Sequence, residues 1–238
     1  SWYPPILDAY TFRGELYGLP RDLQLPGVFI NVTAYHEAGL AVPRTHWTYE
    51  QVKNNAIKLQ KTEADGTVTR WGWKMPTWRN WVPIIWGHGA DFVDSWTDPT
   101  RFTGNTSQMH DALNFMHSLV ETGAITPQAE HGRKGASTAF IDQTNAMVNT
   151  NTVVMPLFKS ITDFEWDVAP APYGPAGRKP FFNALAWVML SGAKDKEATW
   201  KVMNFLTSEK AMTTMADLLG VVPPDRRYAQ YWVRLHDA

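Results

Sequence analysis

Capped helical runs alternate with short apolar stretches along this chain, and that alternation restricts it to layered α/β folds more than any other feature. Thr48 followed three residues later by Gln51 is a capping box, and the run from Tyr49 to about Lys61 places Val52, Ala56, Ile57 and Leu59 on one apolar face. A second helix is predicted from Ser107, with Met109, Ala112, Leu113, Met116, Leu119 and Val120 on its apolar side and Gly123 ending it. Asp195 caps a helix over 196–206, and Ser208 caps another that runs to Gly220. Between these helices, the apolar segments 27–31, 67–73, 144–150, 165–172 and 183–190 read as strands. Strands separated by crossover helices predict largely parallel pairing, with loops at the strand ends open to a ligand.

The stretch "RWGWKMPTWRNWVPIIWGHGADF" sets five tryptophans, at 71, 73, 78, 81 and 86, within residues 70–92. Such rings either fill a core or line a surface made for something flat. Val82, Ile84 and Ile85 mark a buried helix start and turn Trp81 and Trp86 inward, whereas Trp78, between Met-Pro-Thr and Arg79-Asn80, is expected to face a ligand. An exposed ring beside Arg, Asn and Thr suits carbohydrate, whose C–H faces stack and whose hydroxyls need polar partners.

Other chemistries find little support. Lys and Arg number 22 against 23 acids, without a cluster of either sign, so no basic footprint for nucleic acid exists. No segment has the apolar length to cross a bilayer. Cysteine is absent, which removes thiolate nucleophiles, thiolate metal sites and disulfides. The histidines, at 36, 46, 88, 110, 117, 131 and 236, include no His-x-x-x-His pair, so neither a metal nor a cofactor is expected. No Gly-x-Ser-x-Gly elbow or phosphate loop occurs. Acids near aromatic loops, among them Asp22, Asp91, Asp94, Asp98, Glu165 and Asp167, keep a glycoside hydrolase open as the alternative.

Several stretches then read together. "GELYGLPRDLQLPGVFIN" with "YHEAGLAVPRTHWTYEQVKNNAIKL", then "IIWGHGADF", "NTSQMHDALNFMHSLVETGAITP", "AFIDQTNAMVNTNT" and "FEWDVAPAPYGPAGRKPFFNALAWVML" with "KEATWKVMNFLTSEKAMTTMADLLGVVPP" resemble, in order and spacing over 10–224, the sugar-type extracellular solute-binding proteins of ABC importers. The resemblance implies a periplasmic-binding-protein-like two-lobe α/β fold of type II, here incomplete. Residues 1–31 would be a first-lobe and hinge segment, 32–162 the second lobe, 163–220 the return to the first lobe, and 221–238 the start of a C-terminal helical region. A fragment of this kind would leave apolar faces bare and be poorly soluble alone.

The same resemblance implies a monomeric, non-catalytic receptor, periplasmic or extracellular, with a lipid anchor in some members. It would capture a di- or oligosaccharide between its lobes and deliver it to an ABC permease. Carried over position by position, its ligand-binding residues fall at Arg21, Asp22, Gln24, Trp78, Arg79, Asn149, Asn151, Asn183 and Trp187. Trp78 would stack on the sugar, Arg79, Gln24, Asn149 and Asn151 would recognise hydroxyls, and Asp22 would accept two of them. Three departures stand out: Pro26-Gly27 interrupts the hinge segment, His46 sits inside Pro-x-Thr-Trp, and "NTNTVV" lacks the Trp that many sugar binders carry after Ala-Met. The last leaves the ring platform to Trp78 or Trp187. An anionic solute such as glycerol phosphate, anchored by Arg21 and Arg79, is the further alternative.

Overall fold

The computed structural model describes residues 2–75, 77–131 and 134–235, so His236, Pro76 and the end of the 221–238 segment lie outside the described residues. In chain order the elements are α1 (Pro4–Tyr10), β1 (Thr11–Phe12), β2 (Glu15–Leu16), β3 (Leu19–Gln24), β4 (Pro26–Asn31), α2 (Val32–Glu37), α3 (Tyr49–Leu59), β5 (Lys61–Thr62), β6 (Val68–Lys74), α4 (Trp78–Gly87), α5 (Ser107–Glu121), α6 (Gln128–His131), α7 (Ala136–Ile141), β7 (Asn145–Asn151), α8 (Met155–Phe158), β8 (Trp166–Ala169), β9 (Asn183–Trp187), α9 (Lys196–Leu206), α10 (Glu209–Leu219) and α11 (Arg226–Leu235). They form two compact units, one of residues 1–25, 151–160 and 182–238, the other of residues 26–150 and 161–181.

The larger unit is built on a five-stranded sheet in the order β5-β6-β7-β4-β8. β4 is buried from Gly27 to Asn31 and apolar through Ile30, as befits a strand covered on both faces. At its end Asn31 Oδ1 accepts from the amide of Ala34 at 2.8 Å and starts α2. α3 begins with both bonds of its capping box, Gln51 N to Thr48 Oγ1 at 3.3 Å and Thr48 N to Gln51 Oε1 at 2.8 Å. It lies so close to β6 that a Cβ on Gly72 would stand 2.0 Å from the carbonyl oxygen of Ala56, and only glycine permits that approach. Trp73, fully buried, sits in the core that Val28, Ile30, Val52, Leu59, Ile84 and Leu119 build around it. A satellite cluster of Ile85, Ala90, Met109 and Ala112 joins α4 to α5, with Trp81 and Phe92 packed on it.

In the smaller unit β3 and β9 pair antiparallel, and α1 packs Ile6 against Leu23, Val222 and Ala229. Asp195 and Ser208 cap α9 and α10 through the amides of Ala198 and Ala211, and Gly220 ends α10 in the left-handed conformation at φ 64°. Trp232 of α11 donates its indole N–H to the Gly220 carbonyl at 2.9 Å.

Three expectations from the sequence need correction. Pairing is mixed rather than largely parallel: β6 and β7 run parallel, but β4–β8, β5–β6 and β3–β9 are antiparallel. Alternation says that crossovers exist, whereas β8 and β9 come back from far along the chain to partners chosen by burial. On α5 the buried positions are Met109, Ala112, Phe115 and Leu119, while Leu113 and Val120 are exposed, as is Ile57 on α3. Apolar spacings of three and four fit two adjacent stripes equally well, and packing chose the one containing Phe115. The last strand stops at Trp187, leaving Val188 and Leu190 exposed.

Candidate functional site

Each unit carries its own set of the residues that the sequence nominates. In the smaller unit, Arg21, Asp22 and Gln24 lie on β3, Asn183 and Trp187 on β9, and Asn151 at the end of β7. The register between β3 and β9 shifts between Pro20 and Asp22, so Arg21 faces no partner and the strand is re-aimed there. Its guanidinium bonds the carboxylate of Asp22 and lies 5.5 Å over the ring of Trp187. The Asp22 side chain is fully buried, and among the described residues its Oδ1 has no hydrogen-bond partner; nor has the buried indole N–H of Trp187. A buried acceptor and a buried donor left open beside one guanidinium are costly unless something completes them.

Next along β3, Gln24 Oε1 accepts from Asn151 Nδ2 at 3.3 Å and from Asn183 Nδ2 at 3.4 Å, so three nominated side chains form one amide cluster. Tyr10, which the sequence did not nominate, belongs to the same neighbourhood. Its hydroxyl donates to the carbonyl of Ala184, and its phenol is pushed up, first by burial and then by the negative charge of Asp22. A lone Tyr at the end of a short helix gives no sequence signal for this.

The larger unit brings together Trp78, Arg79 and Asn149. Arg79 and Asn149 line a hollow with Tyr49, Asn80, Thr150 and Phe181. Asn149 Oδ1 accepts from Trp73 Nε1 at 2.8 Å, which orients the amide so that its NH2 is the group offered to the hollow. The first turn of α4 sets the other two: Asn80 Oδ1 takes the amide and hydroxyl of Thr77 at 3.1 and 3.0 Å, fixing the entry of the chain into the helix. Trp78 is 49% exposed, with Arg79 5.9 Å over its ring and Phe181 meeting its edge at 5.1 Å. Trp81 and Trp86 are half-buried rather than fully turned inward: Trp81 packs on Phe92, and Trp86 stacks on Phe181 at 6.0 Å. Phe181 was legible only as one of an adjacent Phe pair, and Tyr49 only as the first residue of α3.

Asp91, Asp94, Asp98, Glu165 and Asp167, the acids left open for hydrolysis, are bound into local structure where partners are seen. Asp94 takes the amides of Thr100 and Arg101, Asp167 pairs with Arg44 at 2.8 Å, and Asp91 takes two indole N–H groups. Among the described residues no three His, Asp or Glu side chains stand close enough to hold a metal.

The model of the bacterial extracellular solute-binding protein family matches residues 1–231. Curated relatives in Brucella abortus and Brucella suis are 21% identical over 240 residues, which is 98% of this chain and 56% of theirs, so the chain spans about half the length of the relatives it matches. Among solved structures, the ABC substrate-binding protein Lmo0181 of Listeria monocytogenes in complex with cycloalternan is similar at a TM-score of 0.84, with 20% identity over 98% of this chain and 59% of that one. The GacH receptor of Streptomyces glaucescens, seen unliganded and with acarbose, gives 0.79 and 20% over 100% and 60%. UgpB of Mycobacterium tuberculosis in complex with glycerophosphocholine gives 0.77 and 18% over 98% and 59%. At such identities these likenesses establish the fold, a periplasmic-binding-protein-like α/β architecture, and leave the ligand to the chain's own residues.

Proposed function

We propose that this chain, which belongs to the bacterial extracellular solute-binding protein family, serves as a non-catalytic receptor that captures a neutral carbohydrate outside the cytoplasmic membrane and hands it to an ABC permease. The observation that carries this reading is Asp22. Its carboxylate is fully buried and leaves one oxygen without a hydrogen-bond partner among the described residues, while Arg21 bonds the other, so a ligand hydroxyl that displaces the groups covering it would complete the set. An open, negatively charged acceptor calls for a donor, which a sugar hydroxyl provides and a phosphate oxygen does not. Arg21 gives its Nε–H to Asp22 and lies over Trp187, so its charge is already matched by a carboxylate, which favours carbohydrate over glycerol phosphate.

In this reading the smaller unit supplies hydroxyl recognition through Asp22, Gln24, Asn151, Asn183 and the indole N–H of Trp187. The larger unit supplies the stacking ring of Trp78 with Arg79 and Asn149 beside it. Binding then favours whichever conformation offers the ligand most contacts, and that difference in affinity is what a permease can sense.

Intrinsic tryptophan fluorescence of the whole protein, titrated with neutral mono- and oligosaccharides and with glycerol phosphate, tests the proposal. Saturable change with a saccharide and no new product is expected. Product formation would make the protein a hydrolase, and saturation by glycerol phosphate alone would make Arg79 an anion anchor; either result overturns the reading.

A further inference from the structure

The tryptophans of the larger unit do not end at the hollow. Trp78 and Trp86 are eight residues apart on α4, about 12 Å along its axis and turned about 80° from one another around it, so only a ring from another segment can join them. Phe181 sits between them, edge-on to Trp78 at 5.1 Å and stacked on Trp86 at 6.0 Å. Beyond Trp86 stands Trp96, its ring centroid 6.3 Å away and edge-on, so that four rings follow one another in contact.

Trp96 is 61% exposed, yet it is held. One carboxylate grips two indoles: Asp91 Oδ1 accepts from Trp86 Nε1 at 3.1 Å, and Asp91 Oδ2 accepts from Trp96 Nε1 at 2.9 Å. The loop bearing Trp96 is itself closed, by Thr103 N to Phe92 O at 2.8 Å and by the three bonds that Asp94 takes from Thr100 and Arg101. A large ring left in water has no folding reason to be fixed so firmly, because its exposed face gains nothing from order. A fixed, exposed ring does suit a ligand that stacks, since little conformational entropy is lost on binding.

We infer that Trp78, Phe181, Trp86 and Trp96 form a track for an oligosaccharide chain, with Trp96 the outlying platform and Asp91 the residue that positions it. The inference rests on the carbohydrate reading above and adds chain length to it. Phe181, the second ring of the track, also lines the hollow beside Arg79 and Asn149, so a sugar seated there continues along the rings. The span from Trp78 to Trp96 exceeds one hexose, which makes the ligand several rings long. The flanks carry Asp91, Thr100 and the other polar side chains of the Trp96 loop, which fits a hydroxylated chain better than an apolar protein face.

Isothermal titration of the whole protein with glucose and mannose oligosaccharides, from disaccharide to hexasaccharide, tests the track. In the wild type, affinity should rise with chain length. Trp96→Ala should remove about five- to tenfold of affinity from the longer chains and leave the disaccharide unchanged, and Trp96→Phe should restore part of that loss. Asp91→Ala should weaken long-chain binding in the same way and alter the near-ultraviolet circular dichroism of the Trp86–Trp96 pair. Affinity independent of length, or a Trp96→Ala loss equal at all lengths, would overturn the track alone. A wild type that binds no saccharide would overturn the track together with the reading beneath it.

Discussion

Replacing Asp22 by Asn separates recognition from stability. Asn has the same shape and keeps one oxygen for the Arg21 guanidinium, but it presents NH2 where the carboxylate offered an open acceptor. A hydrogen bond from a hydroxyl to a buried charged group contributes about 1.5–3 kcal/mol, so the dissociation constant for a neutral saccharide should rise roughly 10- to 150-fold. Folding should change far less. Removing the buried charge relieves its desolvation, while Arg21, whose side chain is 27% exposed, exchanges a charged acceptor for a neutral one, so the gain and the loss offset to within about 1 kcal/mol. The assay is calorimetric titration with the best saccharide, alongside urea denaturation of the same sample. Saccharide affinity within about twofold of wild type in a folded variant would refute the assignment of Asp22 as the hydroxyl acceptor. Loss of both affinity and stability would show instead that Asp22 serves the fold.

Trp78→Ala should weaken saccharide binding about tenfold, since stacking on one face covers roughly 50 Å² of the exposed half of the ring at about 25 cal/mol per Å²; unchanged titration curves would remove Trp78 from the site. Gly72→Ala forces a Cβ into the backbone of α3 at Ala56, and denaturant unfolding should show a loss of about 3 kcal/mol or more, while a near-neutral result would mean that α3 is free to shift. The Asp94 carboxyl is lowered to about 2, first by the hydroxyl of Thr100 and then by the Thr100 amide. Because a depressed carboxyl stabilises above its unfolded value, the Trp96 loop should hold at neutral pH and loosen as pH falls from about 4 towards 2, read as lost hydrogen-exchange protection at Thr100 and Arg101. Equal protection across that range would contradict it.

Local chemistry made much of this protein legible. Thr48 with Gln51, Asp195, Ser208 and Gly220 act on backbone groups within a few residues, so the helix starts and stops they encode are found where expected. The ordered run of segments that marked the extracellular solute-binding proteins is likewise linear information. Packing decided the rest. Which stripe of α5 turns inward depends on what α4 presents to it, so Phe115 replaced Leu113 and Val120. β8 and β9 took antiparallel partners more than a hundred residues away, a choice set by burial and loop closure rather than by any local pattern.

The tryptophans show the division most clearly. That five should crowd into residues 70–92 is a property of the sequence alone, and so is the company of Arg79 and Asn80. Sequence spacing cannot say which rings drown in the core, because the stretch begins in strand β6 and continues in helix α4, and the period changes from one to the other. The tertiary structure buried Trp73 and bonded it to Asn149, left Trp78 half in water, and drew in Phe181 and Trp96 from outside the stretch. Ring-to-ring contact is a matter of distance in space, and only the packed chain fixes distances between residues so far apart in order.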